Sequence, residues 1–279
     1  MPSGRRSQAV ADHDCSGQLR AAGRAAGAGR QVVDREQVMV RAAFRAPAER
    51  GYLAGVTLDD RPQPLGSCWN YWFCVAGGDQ AGIMAALGLT DPQPTTYALA
   101  REEMDRASHG SDTGLVCVTG EINGWTAVVG PWCDPTDKER HEEVRTLVEV
   151  LSAQYGEAHA FYFGAQRDGS AWLVARDGRT IRRYSDLSSE MALGNPLPVE
   201  QRYLDQFDIP GRPEDHLDDE DMSDDMFEFW HACTAQRVAQ TISLDVVWHM
   251  PTDAVVCGQL VLARVPEGAR GAQRGHNGV

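Results

Sequence analysis

Arg167, Asp168, Arg182, Arg183 and Tyr184 fall around two short apolar, aromatic runs of a 279-residue chain. Guanidinium groups beside aromatic rings grip carboxylates, phosphates or an acidic loop of a partner. The same arginines equally suit the edge of a sheet, where charge blocks the addition of another strand. Glu121 and His159 are the further polar groups on apolar segments that could converge with them, and Trp172 is the aromatic neighbour. The candidate binding set is therefore Glu121, His159, Arg167, Trp172, Arg182, Arg183 and Tyr184.

Other patterns fall short of a chemistry. Gly77-Gly-Asp-Gln-Ala-Gly82 lies where a phosphate loop would, but Asp79 replaces a required glycine and no Gly-Lys-Ser/Thr follows. His141-Glu142 opens like HExxH, yet position 145 is Arg, so the second zinc ligand is missing. Residues 214–225 hold eight acids and place oxygen ligands at 219, 221 and 223. A calcium loop would need Gly at Asp224 and a bidentate Glu at Trp230, so a solvated or interacting acidic loop is the simpler reading. His231 and Cys233 on one helix point about 200° apart, and no GxSxG is present. No metal site and no cofactor is expected, and these patterns identify no catalytic residue.

The elements that would position these groups follow from turn chemistry and periodicity. Trp69–Val75 reads as a strand by its aromatic content. Asp79 N-caps a helix to Leu87, and a second helix follows Pro94-Thr95 to about Arg106. Asn123-Gly124 is the preferred pair for a type I′ turn, joining Leu115–Ile122 to Trp125–Val129. A two-residue loop pairs Ile122 with Trp125, Gly120 with Ala127 and Val118 with Val129. Asp134-Pro135 and Thr136-x-x-Glu139 read as a helix start, with Val144, Leu147, Val148, Leu151 and Tyr155 on one face. His159–Gly164 is a central strand. A second hairpin, Ala171–Arg176 and Arg179–Asp186 about Asp177-Gly178, sets Trp172 opposite Arg183 and Val174 opposite Ile181. Beyond Pro196, a helix over 223–239 and strands over 241–248 and 254–265 are expected.

This order predicts an α+β fold: an antiparallel sheet with helices on one face, a ferredoxin-like βαββαβ core extended by a hairpin, and a smaller C-terminal extension. Residues 66–195 form the core domain, and 196–265 extend it with the acidic loop, a helix and strands. Residues 1–65 are an Ala/Gly/Arg-rich extension expected to be disordered, or to reflect a start codon wrongly placed at Met1, with Met39 the candidate true start. Residues 266–279 form a disordered tail. The stretch Gly124-Trp-Thr-Ala-Val-Val-Gly-Pro-Trp132, with Phe161–Gly164 and Ala171–Ser185, resembles a family of uncharacterised bacterial proteins with a GWTxVVGxW-type hairpin. The resemblance covers roughly 69–245 and rests on turn and core residues. It implies a common fold and no activity. In that family a His-Arg pair stands where this chain has Gln166-Arg167.

Charge and composition bound the function. The net charge is −14, with residues 1–50 at +4 and residues 201–250 at −9, which makes a nucleic-acid partner an unlikely expectation. No apolar stretch is long enough to span a bilayer. Arg5-Arg6 is not followed by the apolar segment of an export signal. Seven cysteines without a CxxC pair suggest a reducing cytoplasm and no disulfide framework. Twenty-five Arg against one Lys fit a GC-rich, actinobacterial coding sequence and carry no functional weight. The expected function is a non-enzymatic protein-binding module, immunity- or adaptor-like. The alternative is a small-molecule-binding domain or hydrolytic enzyme with a pocket built from distant residues. Glu121, His159, Arg167 and Arg183 are the groups that could line such a pocket, and the alternative gains if Glu121 and Arg183 converge within about 4 Å on one sheet face.

Overall fold

In the computed structural model, residues 62–110, 113–165, 168–217, 223–250 and 254–267 are described. The N-terminal extension up to 61, the tail from 268, acidic residues 218–222 and Arg167 lie outside them. Among the described residues, nine strands form one antiparallel sheet with six helices. The strands are β1 (Trp69–Ala76), β2 (Thr90–Pro94), β3 (Leu115–Ile122), β4 (Trp125–Val129), β5 (Glu157–Gly164), β6 (Ser170–Arg176), β7 (Arg179–Ser185), β8 (Val256–Cys257) and β9 (Val261–Arg264). They lie in the order β2-β9-β3-β4-β1-β5-β6-β7, with β8 paired to β3. The helices are α1 (Gln80–Ala86), α2 (Tyr97–Ser108), α3 (His141–Tyr155), α4 (Pro198–Gln206), α5 (Asp224–Ala232) and α6 (Ala235–Ile242).

The sheet is larger than a ferredoxin-like core, and helices cover both of its faces instead of one. Alternation along β1 shows why: Trp72 and Cys74 join one buried cluster, Tyr71, Phe73 and Val75 the other. The first cluster includes α2 (Tyr97, Ala100, Met104), α4, α5 and α6. The second includes α1 (Ile83) and α3 (Val144, Val148, Leu151). Strands apolar on both sides demand two covers, so a single helical layer could not have satisfied this sequence. The C-terminal elements complete the same sheet, because β9 inserts between β2 and β3.

Both hairpins form at the expected turns. Asn123 and Gly124 take φ of 50° and 85°, and Asp177 and Gly178 take 48° and 79°, the left-handed values a type I′ turn needs. The register beyond each turn differs from expectation by a bulge. Ile122 meets Trp125, but after a shift between Val118 and Glu121 it is Cys117 that faces Val129, and Val118 that faces Val128. Val118 therefore joins the opposite cluster from Val129. In the second hairpin the shift lies between Val174 and Ala175. Trp172 faces Tyr184, Leu173 faces Arg183 and Val174 faces Arg182. A one-residue slip exchanges the faces of everything after it, so Arg182 enters the core in place of Arg183.

Five other elements depart from the sequence-based expectation. Asp134 makes a local turn, its Oδ1 accepting from Thr136 N and Oγ1 at 2.7 and 2.6 Å, and the helix starts only at His141. The helix expected over 223–239 is two helices broken at Cys233-Thr234, with Ser223 and Thr234 as separate N-caps. Residues 243–248 are no strand but a buried strap: Leu244 O accepts from Trp72 Nε1 and Cys74 Sγ, and Val246 O accepts from Leu65 N. Finally, α4 and the edge strand β2 went unforeseen. Among the described residues, Cys68, Cys74, Cys117, Cys133 and Cys233 are in no disulfide.

Candidate functional site

The bulge at Ile181 decides the fate of the arginine–aromatic set. Trp172 stacks on Tyr184 with ring centroids 4.4 Å apart, and the Tyr184 hydroxyl accepts from Trp230 Nε1 at 3.0 Å. Arg182 lies over the Tyr184 ring at 5.4 Å and is wholly buried. Its Nη2 reaches Glu200 at 2.7 Å and Glu214 at 2.8 Å, its Nε also bonds Glu200, and its Nη1 bonds Glu214 at 2.9 Å. Desolvation opposes the charge on Arg182, but the hydrogen bonds to Glu214 and Glu200 outweigh it and raise its pKa. Glu200 in turn accepts from Leu197 N at 2.7 Å, the first turn of α4. This cluster fastens the C-terminal helices to the sheet, and its side chains meet each other instead of solvent.

The remaining expected residues are dispersed. Arg183 points to the other face, is nearly buried, and donates to Glu142 at 2.9 Å and to Pro135 O at 3.4 Å. It does not stack on Trp172. Glu121, on β3 opposite Thr126, is half-buried and lies over Gly78, where a Cβ would collide with its carboxylate. Between Glu121 and Arg183 stand five strand spacings in the order β3-β4-β1-β5-β6-β7, about 24 Å at ~4.8 Å each. Glu121 and Arg183 do not converge, so the pair lends the small-molecule or hydrolytic alternative no support. His159 is fully buried between the rings of Trp125 and Phe161, its Nε2 3.0 Å from Glu157. Among the described residues no group of three His, Cys, Asp or Glu side chains could hold a metal ion. No described helix is long and apolar enough to cross a membrane.

Another set of exposed groups lies at the end of the sheet where β1 and β6 begin and β5 and β7 finish, Phe163 packing toward the first buried cluster and Trp69 toward the second. Trp248 is 52 % exposed, edge-on to Phe163 at 6.4 Å. Leu187, 48 % exposed, lies against Gly169 in the loop before β6. Trp69, at the start of β1, donates from Nε1 to Asp168 at 2.9 Å and meets the His109 ring at 5.3 Å. Beside it runs a shallow cleft of roughly 200 Å³, counting space open to solvent, lined by Ser67, Trp69, Asn70, Met104, Ser108 and Gly130 among others. The aromatic positions are held firmly. Asp245, buried, accepts from Val247 N and Trp248 N at 3.0 Å each and from Gln240 Nε2 at 3.0 Å. Asn70 fixes the turn before β1, accepting from Ser67 N at 2.7 Å and donating to Phe163 O at 3.2 Å.

Sequence reasoning missed this set because Trp248 reads as the end of an apolar strand. The one available signal was Leu244-Asp-Val-Val-Trp-His249: a lone Asp inside an apolar run is more at home capping a turn than facing a core. No family model, no curated protein and no solved structure matches the chain, so the resemblance to the GWTxVVGxW-type family gains no support from them.

Proposed function

We propose that the chain is a protein-binding module whose contact surface is the aromatic end of the sheet, anchored by Trp248 with Phe163 beside it and extended by Leu187, Trp69 and Asp168 at the same end of the sheet. The single observation behind this reading is Trp248, half-exposed yet held by the Asp245 turn and the Phe163 ring. A rigid, exposed tryptophan offers large contact area with little side-chain entropy to lose on binding, which is why Trp recurs among residues that dominate interfaces. Leu187 adds apolar area, and Asp168 supplies a polar rim whose position is fixed by Trp69. The arginine–aromatic hairpin then acts from behind, by fixing α5 and α6 to the sheet.

The test is affinity capture from a native lysate with the full chain as bait. One stoichiometric protein partner should be retained by the wild type and lost at least about tenfold with Trp248→Ala, the scale of an interface hot spot. Val150→Ala, at a 47 % exposed position on α3, should leave capture unchanged. Equal capture by the Trp248→Ala chain, or no stoichiometric partner for folded bait, defeats the proposal.

A further inference from the structure

His159 has no role in the surface just described, and its environment is unusual for a polar ring. The residue is fully buried, and its Nδ1 meets no hydrogen-bond partner among the described residues. Its other nitrogen, Nε2, lies 3.0 Å from Glu157 Oε1. A neutral imidazole with the proton on Nε2 donates that bond and leaves the Nδ1 lone pair bare. Protonation would put an N–H on Nδ1 with nothing to accept it, in a setting where an unpaired charge is costly.

The surroundings of the ring offer little to hold a cation. From its own strand come Glu157 and the Phe161 ring, from β4 the Trp125 ring, and from β6 Val174 and the Arg176 guanidinium, which bonds Glu157 at 2.9 Å. From β1 comes Cys74, directly opposite in register, whose thiol is pushed up to about 12 by burial and so stays neutral. Beyond Cys74 lies Asp245, already bonded to two backbone N–H groups and Gln240. Helix α6 crosses β5 and β6 with an apolar face of Ala235, Val238, Ala239 and Ile242. Burial lowers the His159 pKa below its ordinary 6.5 despite the opposing pull of Glu157.

We propose that His159 is a proton-operated latch for the layer above it: uptake of a proton at Nδ1 releases α6 and the strap 243–248 from the sheet, and Trp248 with them. The mechanical link is Cys74, which faces His159 across the β1–β5 pair and donates to Leu244 O at 3.1 Å, the carbonyl that also takes Trp72 Nε1. Leu244 stands four residues before Trp248 and one before Asp245, whose carboxylate sets the Trp248 backbone. An imidazolium beneath this carbonyl contact is relieved only by water, and water enters when the strap lifts. The opposite face, with α3 and Cys133, packs in the second cluster apart from the strap and stays closed.

The consequence for partner release rests on the protein-binding reading, but the latch itself is tested without a partner. The full chain is pulse-labelled with dithiodipyridine, which reacts with thiols in acid, from about pH 7.5 to about pH 5, and the modified cysteines are mapped by peptide mass. Cys74 labelling should rise below the ordinary histidine pKa while Cys133 remains protected. His159→Gln should abolish the rise. Should that variant not fold, two surface variants give the answer. Glu157→Gln, which removes the stabilising carboxylate, should move the midpoint down by about 1 pH unit, and Arg176→Ala should move it up. The latch is overturned if Cys74 stays protected in acid, if Cys133 is labelled in step with it, or if neither surface variant moves the midpoint. Failure of partner capture leaves these outcomes untouched.

Discussion

Replacing Arg182 with Met tests the energetic keystone of the C-terminal layer. The substitution retains the length and much of the apolar volume of the side chain, so it isolates the charge. It leaves Glu200, wholly buried, and Glu214, nearly so, without the cation that both contact within 2.8 Å. Glu200 is then an uncompensated carboxylate in a dry site, while Glu214 keeps only its ion pair with Arg212; breaking a buried ion pair in this way costs about 3–5 kcal/mol. For a body of this size about 2–4 °C of Tm accompanies each kcal/mol, so a fall of roughly 6–20 °C is expected. Thermal unfolding followed by circular dichroism measures it. Adding Glu200→Gln and Glu214→Gln to the Met variant should recover part of the loss, because the stranded charges are gone. A Tm drop of less than about 3 °C, or no recovery in the triple variant, would refute the assignment of this cluster as the fastener of α4–α6.

Three further outcomes follow from local geometry. Asp186, whose Oδ1 accepts from Ser170 N at 2.7 Å, is pushed up to about 7 by desolvation from an ordinary 3.8. The folded state therefore binds the proton more tightly than the unfolded state, and the group's contribution to stability falls as pH rises between those values. Asp186→Asn should leave stability unchanged near pH 3.8 and increase it progressively to pH 7, by at most roughly 4 kcal/mol, as read from urea midpoints. Gly124→Ala should cost about 1–2 kcal/mol in the same assay, since φ of 85° carries a Cβ penalty. Asp79→Ala removes the cap on Gly82 N and the acceptor for the Tyr155 hydroxyl, and should cost about 1 kcal/mol.

The turns were legible in the sequence because Asn-Gly and Asp-Gly encode a backbone conformation directly. The bulges were not, because side-chain alternation runs on through an inserted residue unless something marks it. At Gly120 something did: a Cβ there would lie 2.5 Å from Cys257 O, so the glycine records the approach of β8, a contact distant in sequence. At Ile181 nothing local distinguishes the bulged register, and the choice is made by Glu200 and Glu214 waiting for Arg182. That is why the candidate residues were correctly seen as the polar groups on apolar strands, yet were assigned to the surface. Strand β2 hid for the opposite reason. Its Asp-Pro-Gln-Pro has no strand propensity, and it pairs only as a fully exposed edge where missing N–H groups do little harm. The strap at 243–248 has the composition of a strand, but its backbone bonds are satisfied by side chains of Trp72, Cys74 and Asp245 instead of a neighbouring strand.

The most direct measurement of the central claim is a hydroxyl-radical footprint of the complex that the full chain captures, compared with the free chain. Loss of oxidation at Trp248, Leu187 and Trp69, with Val150 and Val255 unchanged, is the expected result. Protection confined to α3 or to the β3–β4 turn, with Trp248 as reactive as in the free chain, would contradict it.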